Sequence, residues 1–353
     1  MTAAPRTQPR LADIARAAGV SVSAVSMALH EKPGLPAETR QRILSAADEL
    51  GYRRKTSLQT TPSSRAAARL RTIGLLVKSE PDLPPQANPF YSYIIAGIEE
   101  ACRRKRINLL YAAVPVDEHN VPLEIPSLLN EKTADGLLLV GAFVNRGLAD
   151  ILNQTTLPLV LVDAYSEFGD YDSVVSDNLL SARQAILHLI ERGHRHIGIV
   201  GGSPQAYPSI LERLRGYEQA IRDRGLSPYY IQSDMDRLSA YRAVTSALKN
   251  SPELTAIFGC NDEVTLGAMS AAIDLGKHIP DDISFIGFDD IEQAARAVPP
   301  LTTMRVDKSG MGRIAVQLLI DRIEYPASTP VTVALHARLV ERASVAWLQS
   351  AGM

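Results

Sequence analysis

From Thr72 onward the chain repeats one pattern: a short, nearly continuous apolar run, an amphipathic stretch, then another apolar run. TIGLLV (72–77), INLLYAAV (107–114), GLLLVG (136–141) and PLVLVDA (158–164) form a first series. HIGIVG (196–201), TAIFGC (255–260) and SFIGFDD (284–290) form a second. Runs this short read as strands, and strands apolar on both faces must be covered by helices on both sides. Residues 91–104, 178–192, 212–224 and 263–275 carry the helical pattern that supplies the cover. Strand and helix in alternation specify parallel sheets, and two series specify two similar α/β lobes. Ligands of such sheets bind beyond the carboxyl ends of the strands. That rule points to Asn88-Pro89-Phe90-Tyr91, Asn261-Asp262 and Asp289-Asp290.

The first seventy residues follow a different rule. At 353 residues the chain exceeds one ordinary core and divides into smaller packing units. A net charge near −2 hides an asymmetry: residues 1–72 carry 12 Lys/Arg and 5 Asp/Glu, the remainder 25 and 34. A basic head on an acidic body suits a polyanionic partner at the head alone. In LADIARAA, Leu11, Ile14, Ala15 and Ala18 lie on one helical face. Gly19 supplies a turn, and Ser21 is a natural N-cap for a second helix over 22–30. Two short helices about a glycine turn form a helix-turn-helix, whose second helix enters the major groove. Beyond Pro33-Gly34 a third amphipathic helix covers 37–50 through Ile43, Ala46, Ala47 and Leu50. With Val25, Ala28 and Leu29 inward, the second helix turns Ser21, Val22, Ser23, Ser26, Met27 and His30 outward. Short hydroxyls, an aliphatic group and a thioether suit close approach to phosphates and thymine methyls. Arg53, Arg54 and Lys55 follow as phosphate contacts.

Several classes are disfavoured. No apolar run approaches the roughly 18 residues of a membrane span, and MTAAPRTQPR lacks the apolar core of a secretory signal. A cytoplasmic protein is expected. Cys102 and Cys260 are far apart and read as small buried hydrophobes. His194 and His196, two apart at the start of a strand, read as structural. Gly201-Gly202-Ser203 lacks the lysine of a phosphate loop. Neither a G-x-S-x-G elbow nor an H-E-x-x-H motif occurs. The expectation is a binding protein and not an enzyme, with no cofactor and no metal.

LADIARAAGVSVSAVSMALHEKPGLPAETRQRILSAADELGYR resembles the headpiece of the lactose/galactose-repressor (LacI/GalR) family along its whole length. The likeness continues through NPFY…GIEEA, VSDN…HLIERGHRHIGIVGG, ERLRGYEQAI, CNDEVTLGAM, IPDDISFIGFDD and PPLTTMRVDKSGMGRIAVQLL, and so covers residues 11–345. It implies an all-α helix-turn-helix headpiece (1–52), a basic linker or hinge (53–71) and a two-lobed periplasmic-binding-protein-like body (72–353). Within the body the expected lobes are 72–174 with 303–326, and 175–302 with 327–353. The implied protein is a sequence-specific transcriptional regulator, a repressor, whose affinity for operator DNA is set by a sugar-like effector held between the lobes. Two chains would pair on a pseudo-palindromic site, with effector releasing DNA. A cytoplasmic solute-binding protein and a nonspecific DNA binder are the alternatives.

By the same resemblance Val22 and Ser23 open the reading helix, and Met27 stands where the family often has arginine. Arg213 matches the ligand-clamping arginine, and Asp289 the acceptor of ligand hydroxyls. Phe90 and Tyr91 match aromatic contacts, and Tyr207 a second polar contact. Met235 replaces an aromatic platform, while Asn261 and Asp262 either bind ligand or cap a helix. In the linker, either a hinge helix or a plain basic tether fits. Leu58 and Leu70 are its apolar candidates for a minor-groove wedge.

Overall fold

The computed structural model describes residues 11–29, 35–50, 70–79, 85–117, 121–124, 126–129, 133–155, 157–168, 171–203 and 206–348. Two compact units result, one within residues 1–66 and the other within 67–353.

In the first unit, α1 (Leu11–Ala18), α2 (Val22–Leu29) and α3 (Ala37–Glu49) enclose a small core. Ile14, Ala15, Ala18, Val25, Ala28, Ile43, Ala46 and Ala47 fill it. Gly19 has φ +64°, where an L side chain is strained, and this lets the Val20 amide return to the Ala15 carbonyl at 3.0 Å. Ser21 caps α2, its hydroxyl accepting from the Ala24 amide at 3.2 Å. Leu50, expected on the inner face, is exposed just past the end of α3.

The second unit contains two six-stranded sheets. Its elements in chain order are β1 (Thr72–Ser79), α4 (Tyr91–Lys105), β2 (Asn108–Pro115), β3 (Gly136–Val140), β4 (Phe143–Val144), α5 (Arg146–Leu152), β5 (Leu159–Val162), β6 (Tyr165–Ser166) and β7 (Asp172–Ser176). There follow α6 (Asn178–Glu191), β8 (Ile197–Val200), α7 (Pro208–Asp223), β9 (Tyr229–Ile231), α8 (Arg237–Asn250), β10 (Ala256–Gly259), α9 (Asp262–Asp274), β11 (Ser284–Asp289), α10 (Glu292–Arg296), β12 (Thr302–Arg305), α11 (Lys308–Glu324), β13 (Thr332–Leu335) and β14 (Arg338–Val340). The first lobe's sheet runs β13-β7-β5-β3-β1-β2, the second β14-β12-β11-β10-β8-β9. All neighbours are parallel except β14 on β12. Helices on both faces explain why β3, β5, β8, β10 and β11 are buried throughout their length.

The chain crosses between lobes three times, after β7, after β12 and between β13 and β14. The second and third crossings differ from the expected lobe limits. Residues 302–305 pair with β11 and stay in the second lobe, while 332–335 pair with β7 and return to the first. Leu70 is buried in the core of this unit beside Ile73 and Leu75, so it is not available as a wedge; Leu58 lies outside the described residues. Cys102 and Cys260 are buried free thiols.

Candidate functional site

In each lobe the first strand has neighbours on both sides, β1 between β2 and β3, β8 between β9 and β10. The loops that leave such a switch point diverge and open a crevice at the carboxyl ends. Here the two crevices face each other across a cleft of about 550 Å³. Phe90, Tyr91, Tyr207, Arg213, Met235, Asn261 and Asp289 all line it.

Arg213, on α7, is only 4% exposed, and its three nitrogens are directed by neighbours. Nε donates to Asn178 Oδ1 at 2.9 Å, Nη1 to the Cys260 carbonyl at 2.6 Å, and Nη2 lies 3.2 Å from Asp289 Oδ1. The guanidinium also sits 3.8 Å from the centroid of the Phe288 ring. Asp289 Oδ1 is buried against Arg213 Nη2, and among the described residues no other donor reaches it. It therefore has lone-pair capacity left for a ligand donor. Burial raises the Asp289 carboxyl above its usual range, with Arg213 and Lys308 opposing.

The opposing lobe presents a counterpart. Asp163 directly follows β5, is 5% exposed and accepts from the Tyr91 hydroxyl at 3.3 Å. Burial pushes its carboxyl up to about 7; Arg213 lowers it, Asp289 raises it, and Lys78 and Tyr91 lower it. Asp163 and Asp289 both have positive φ, 47° and 107°. Non-glycine residues hold such conformations only where the surroundings impose them, and they concentrate at ligand sites. Each lobe thus aims one carboxyl into the cleft from a strained strand end.

Not every expected residue behaves as its type suggests. Tyr207 precedes α7 on the second lobe, yet its hydroxyl lies 3.1, 3.3 and 3.2 Å from the Gly141, Ala142 and Asp163 carbonyls of the first. Its ring meets Tyr165 edge-on at 5.3 Å. Its polar atom is taken up in joining the lobes. Asn261, not Asp262, caps α9, accepting from the Val264 amide at 2.8 Å. Asp262 is fully buried and not among the cleft-lining residues; it accepts from Thr303 Oγ1 at 2.6 Å and the Ile291 amide at 2.8 Å. It organises the loop after β11 and does not face the cleft. Met235 packs over the end of β8, where a Cβ at Gly201 would come within 3.1 Å of its sulfur.

Lys78, Asp163, Ser209, Asp236, Arg237 and Glu263 also line the cleft and were not singled out from sequence. Asp163 obeys the strand-end rule and was concealed at the end of an apolar run. Asn178 is a further hub. Fully buried at the start of α6, it donates to the Ser176 carbonyl at 3.0 Å, to the Tyr165 hydroxyl at 3.2 Å and to Glu212 Oε2 at 3.3 Å while holding Arg213.

On the first unit, Ser21, Val22 and Ser23 are exposed at the start of α2, with Ser26 and Met27 half-buried one turn on. His30, Arg53, Arg54 and Lys55 lie outside the described residues. His194 is buried, His196 is exposed, and no group able to hold a metal occurs among the described residues. No described helix is long and apolar enough to cross a membrane.

Residues 10–55 match the family described as bacterial regulatory proteins, lacI family, and residues 186–345 match the periplasmic binding protein-like domain. The ribose operon repressor of Haemophilus influenzae is 33% identical over 341 residues, covering 94% of this chain and 97% of its own. The HTH-type transcriptional repressor PurR of Proteus mirabilis is 31% identical over 342 residues, covering 95% and 96%. Among solved structures, a transcriptional regulator CelR–cellobiose complex is 28% identical with a TM-score of 0.67, covering 96% of this chain and 100% of that one.

Proposed function

Since the chain belongs to the lacI family of bacterial regulatory proteins, and is thus a ligand-modulated, DNA-binding transcriptional regulator, we propose that it is a sugar-responsive repressor working in the cytoplasm. The observation that carries the sugar is the pair of strained, buried aspartates, Asp163 and Asp289, facing the cleft from opposite lobes around Arg213. Carboxylates accept from hydroxyls and a fixed guanidinium donates to them, so a compact polyol satisfies both walls at once. Phe90 and Met235 offer apolar surface to its C–H faces. The relatives agree in kind: one is named for a ribose operon and one structure holds cellobiose. D-Ribose is the first candidate.

Two copies bind a pseudo-palindromic operator through the exposed start of α2, with Val22 and Ser23 at base edges and Ser21, Ser26 and Met27 beside them. Sugar closes the lobes on itself and lowers operator affinity, and operator lowers sugar affinity by the same factor. The cleft binds and does not transform its ligand.

Sequencing genomic fragments retained by the purified protein, with competitor DNA at physiological salt, tests the DNA half. A few near-palindromic sites support it; diffuse retention identifies a nonspecific binder. Adding D-ribose, other pentoses, hexoses and disaccharides to the recovered operator complex tests the sugar half. Release by one of them is the expected result. Tighter binding reverses the sign, no response removes the sugar, and a converted sugar reveals an enzyme.

A further inference from the structure

Asp290 follows Asp289 and also has positive φ, 54° after 107°. Three cations hold this pair, each from a different crossing or strand end. Arg305, at the end of β12, donates through Nε to Asp290 Oδ2 at 2.5 Å; Arg342, beyond β14, donates through Nη2 to Oδ1 at 2.6 Å. Lys308 Nζ donates to the Asp289 carbonyl and, at 3.2 Å, to that of Asp290.

Lys308 differs from the other two in its origin. It is the first residue of α11, a helix that lies on β3, β5 and β7 of the first lobe, whereas Asp289 belongs to the second. Its ammonium is 5.8 Å from the Phe90 and Tyr93 ring centroids beside the start of α4. The side chain is buried, 6% exposed, and a buried ammonium is costly unless its donors are met. Burial draws it below the usual lysine range, and Asp289, Asp262 and Asp290 oppose that pull.

The first-lobe end of this link is stiff. A Cβ on Gly97 of α4 would lie 2.2 Å from the Ser309 carbonyl oxygen, and one on Gly312 of α11 2.3 Å from that of Ile94. The two helices touch backbone to backbone, so displacement of one displaces the other.

We infer that Lys308 is a positioning residue that ties the cleft-facing Asp289 to the α11–α4 pair, so that a ligand's hold on Asp289 is felt across the first lobe. The inference rests on the ligand-modulated reading above, and two measurements keep the two apart. Hydrogen exchange on the full-length, ligand-free protein needs no effector. In K308M the Ile291 amide on one side, and the Gly310 and Met311 amides on the other, exchange at least tenfold faster together, while β8 amides keep their wild-type rates. Unchanged exchange at either side, or an equal rise in β8, overturns the tether.

The second measurement is operator affinity with and without saturating sugar, using D-ribose or the sugar that releases wild-type operator complex. K308M, or K308Q should K308M fail to fold, is expected to keep sugar-free operator affinity within about threefold while the sugar's effect shrinks toward none. A merely structural lysine lowers melting temperature or sugar affinity and leaves the effect of saturating sugar intact, which overturns the inference. A wild-type protein that answers no sugar sinks the functional reading instead, and the exchange result then stands alone.

Discussion

Replacing Asp163 with asparagine separates two pH dependences that run in opposite directions. In the folded protein its carboxyl is pushed from 3.8 up to about 7, and at ~1.4 kcal/mol per pKa unit this makes the ionised form roughly 4 kcal/mol less favourable there than in the unfolded chain. Between pH 4 and 7 the folded state binds a proton that the unfolded state has released. Asp163 therefore contributes stability that is present at low pH and lost as pH rises through about 7. Acidifying from pH 7 to pH 5 should restore about 2 kcal/mol through this group. Sugar binding goes the other way, because the carboxylate is acceptor-only and the stronger acceptor of a ligand hydroxyl, whereas the acid keeps an O–H that must itself donate. With the carboxyl near 7, the ionised fraction at pH 5 is about one in a hundred, so affinity should fall by up to roughly 100-fold between pH 8 and 5. Asp289 is also shifted upward, which is why D163N is compared with wild type and not with a theoretical curve. Denaturant melts without ligand and calorimetric titration with the releasing sugar, both from pH 5 to 8, read the two arms. D163N should flatten both slopes. Wild-type affinity constant within threefold across that range, or an unchanged stability slope in D163N, refutes the reasoning.

His194 should act in the opposite sense on stability. Burial lowers it to about 4 against a backbone hydrogen bond with Ala346 that raises it, and its Nδ1 meets Thr255 Oγ1 at 3.1 Å. Its contribution is full above pH 6.5 and lost as pH falls toward 4, about 3 kcal/mol in all, so H194N should lose less stability than wild type over that interval in acid melts. G97A forces a methyl against the Ser309 carbonyl and should cost about 1–3 kcal/mol, read as a lower denaturation midpoint; an unshifted midpoint would mean that α4 and α11 part easily. On the first unit, M27R should add a guanine preference worth about 1–3 kcal/mol at one operator position. Selection from random DNA by both proteins reads it, and identical consensus sites would remove Met27 from the reading surface.

The sequence by itself determined most of what depends on local burial, Leu50 past the end of α3 excepted. Apolar periodicity gave the central strands of both sheets, and Gly19, Ser21 and the Ile14–Val25–Ile43 core gave the headpiece. The strand-end rule pointed to Asp289, because a residue at the mouth of a strand is marked by its neighbours in the chain, and the family likeness pointed to Arg213 on α7; both line the cleft. What only the tertiary structure decided are the relations between segments far apart in the chain. Tyr207 spends its hydroxyl on carbonyls 44 to 66 residues away, and Asp262 is claimed by Thr303, 41 residues on. Lys308 finds its acceptors in the other lobe. The edge strands β13 and β14 carry only short apolar runs, 333–335 and 339–340, since each has one neighbour and a partly solvated face, and so the lobe limits shifted. Hydrophobic pattern records how deeply a side chain is buried; which polar group meets it there is set by three-dimensional packing, and that is where the function of this cleft resides.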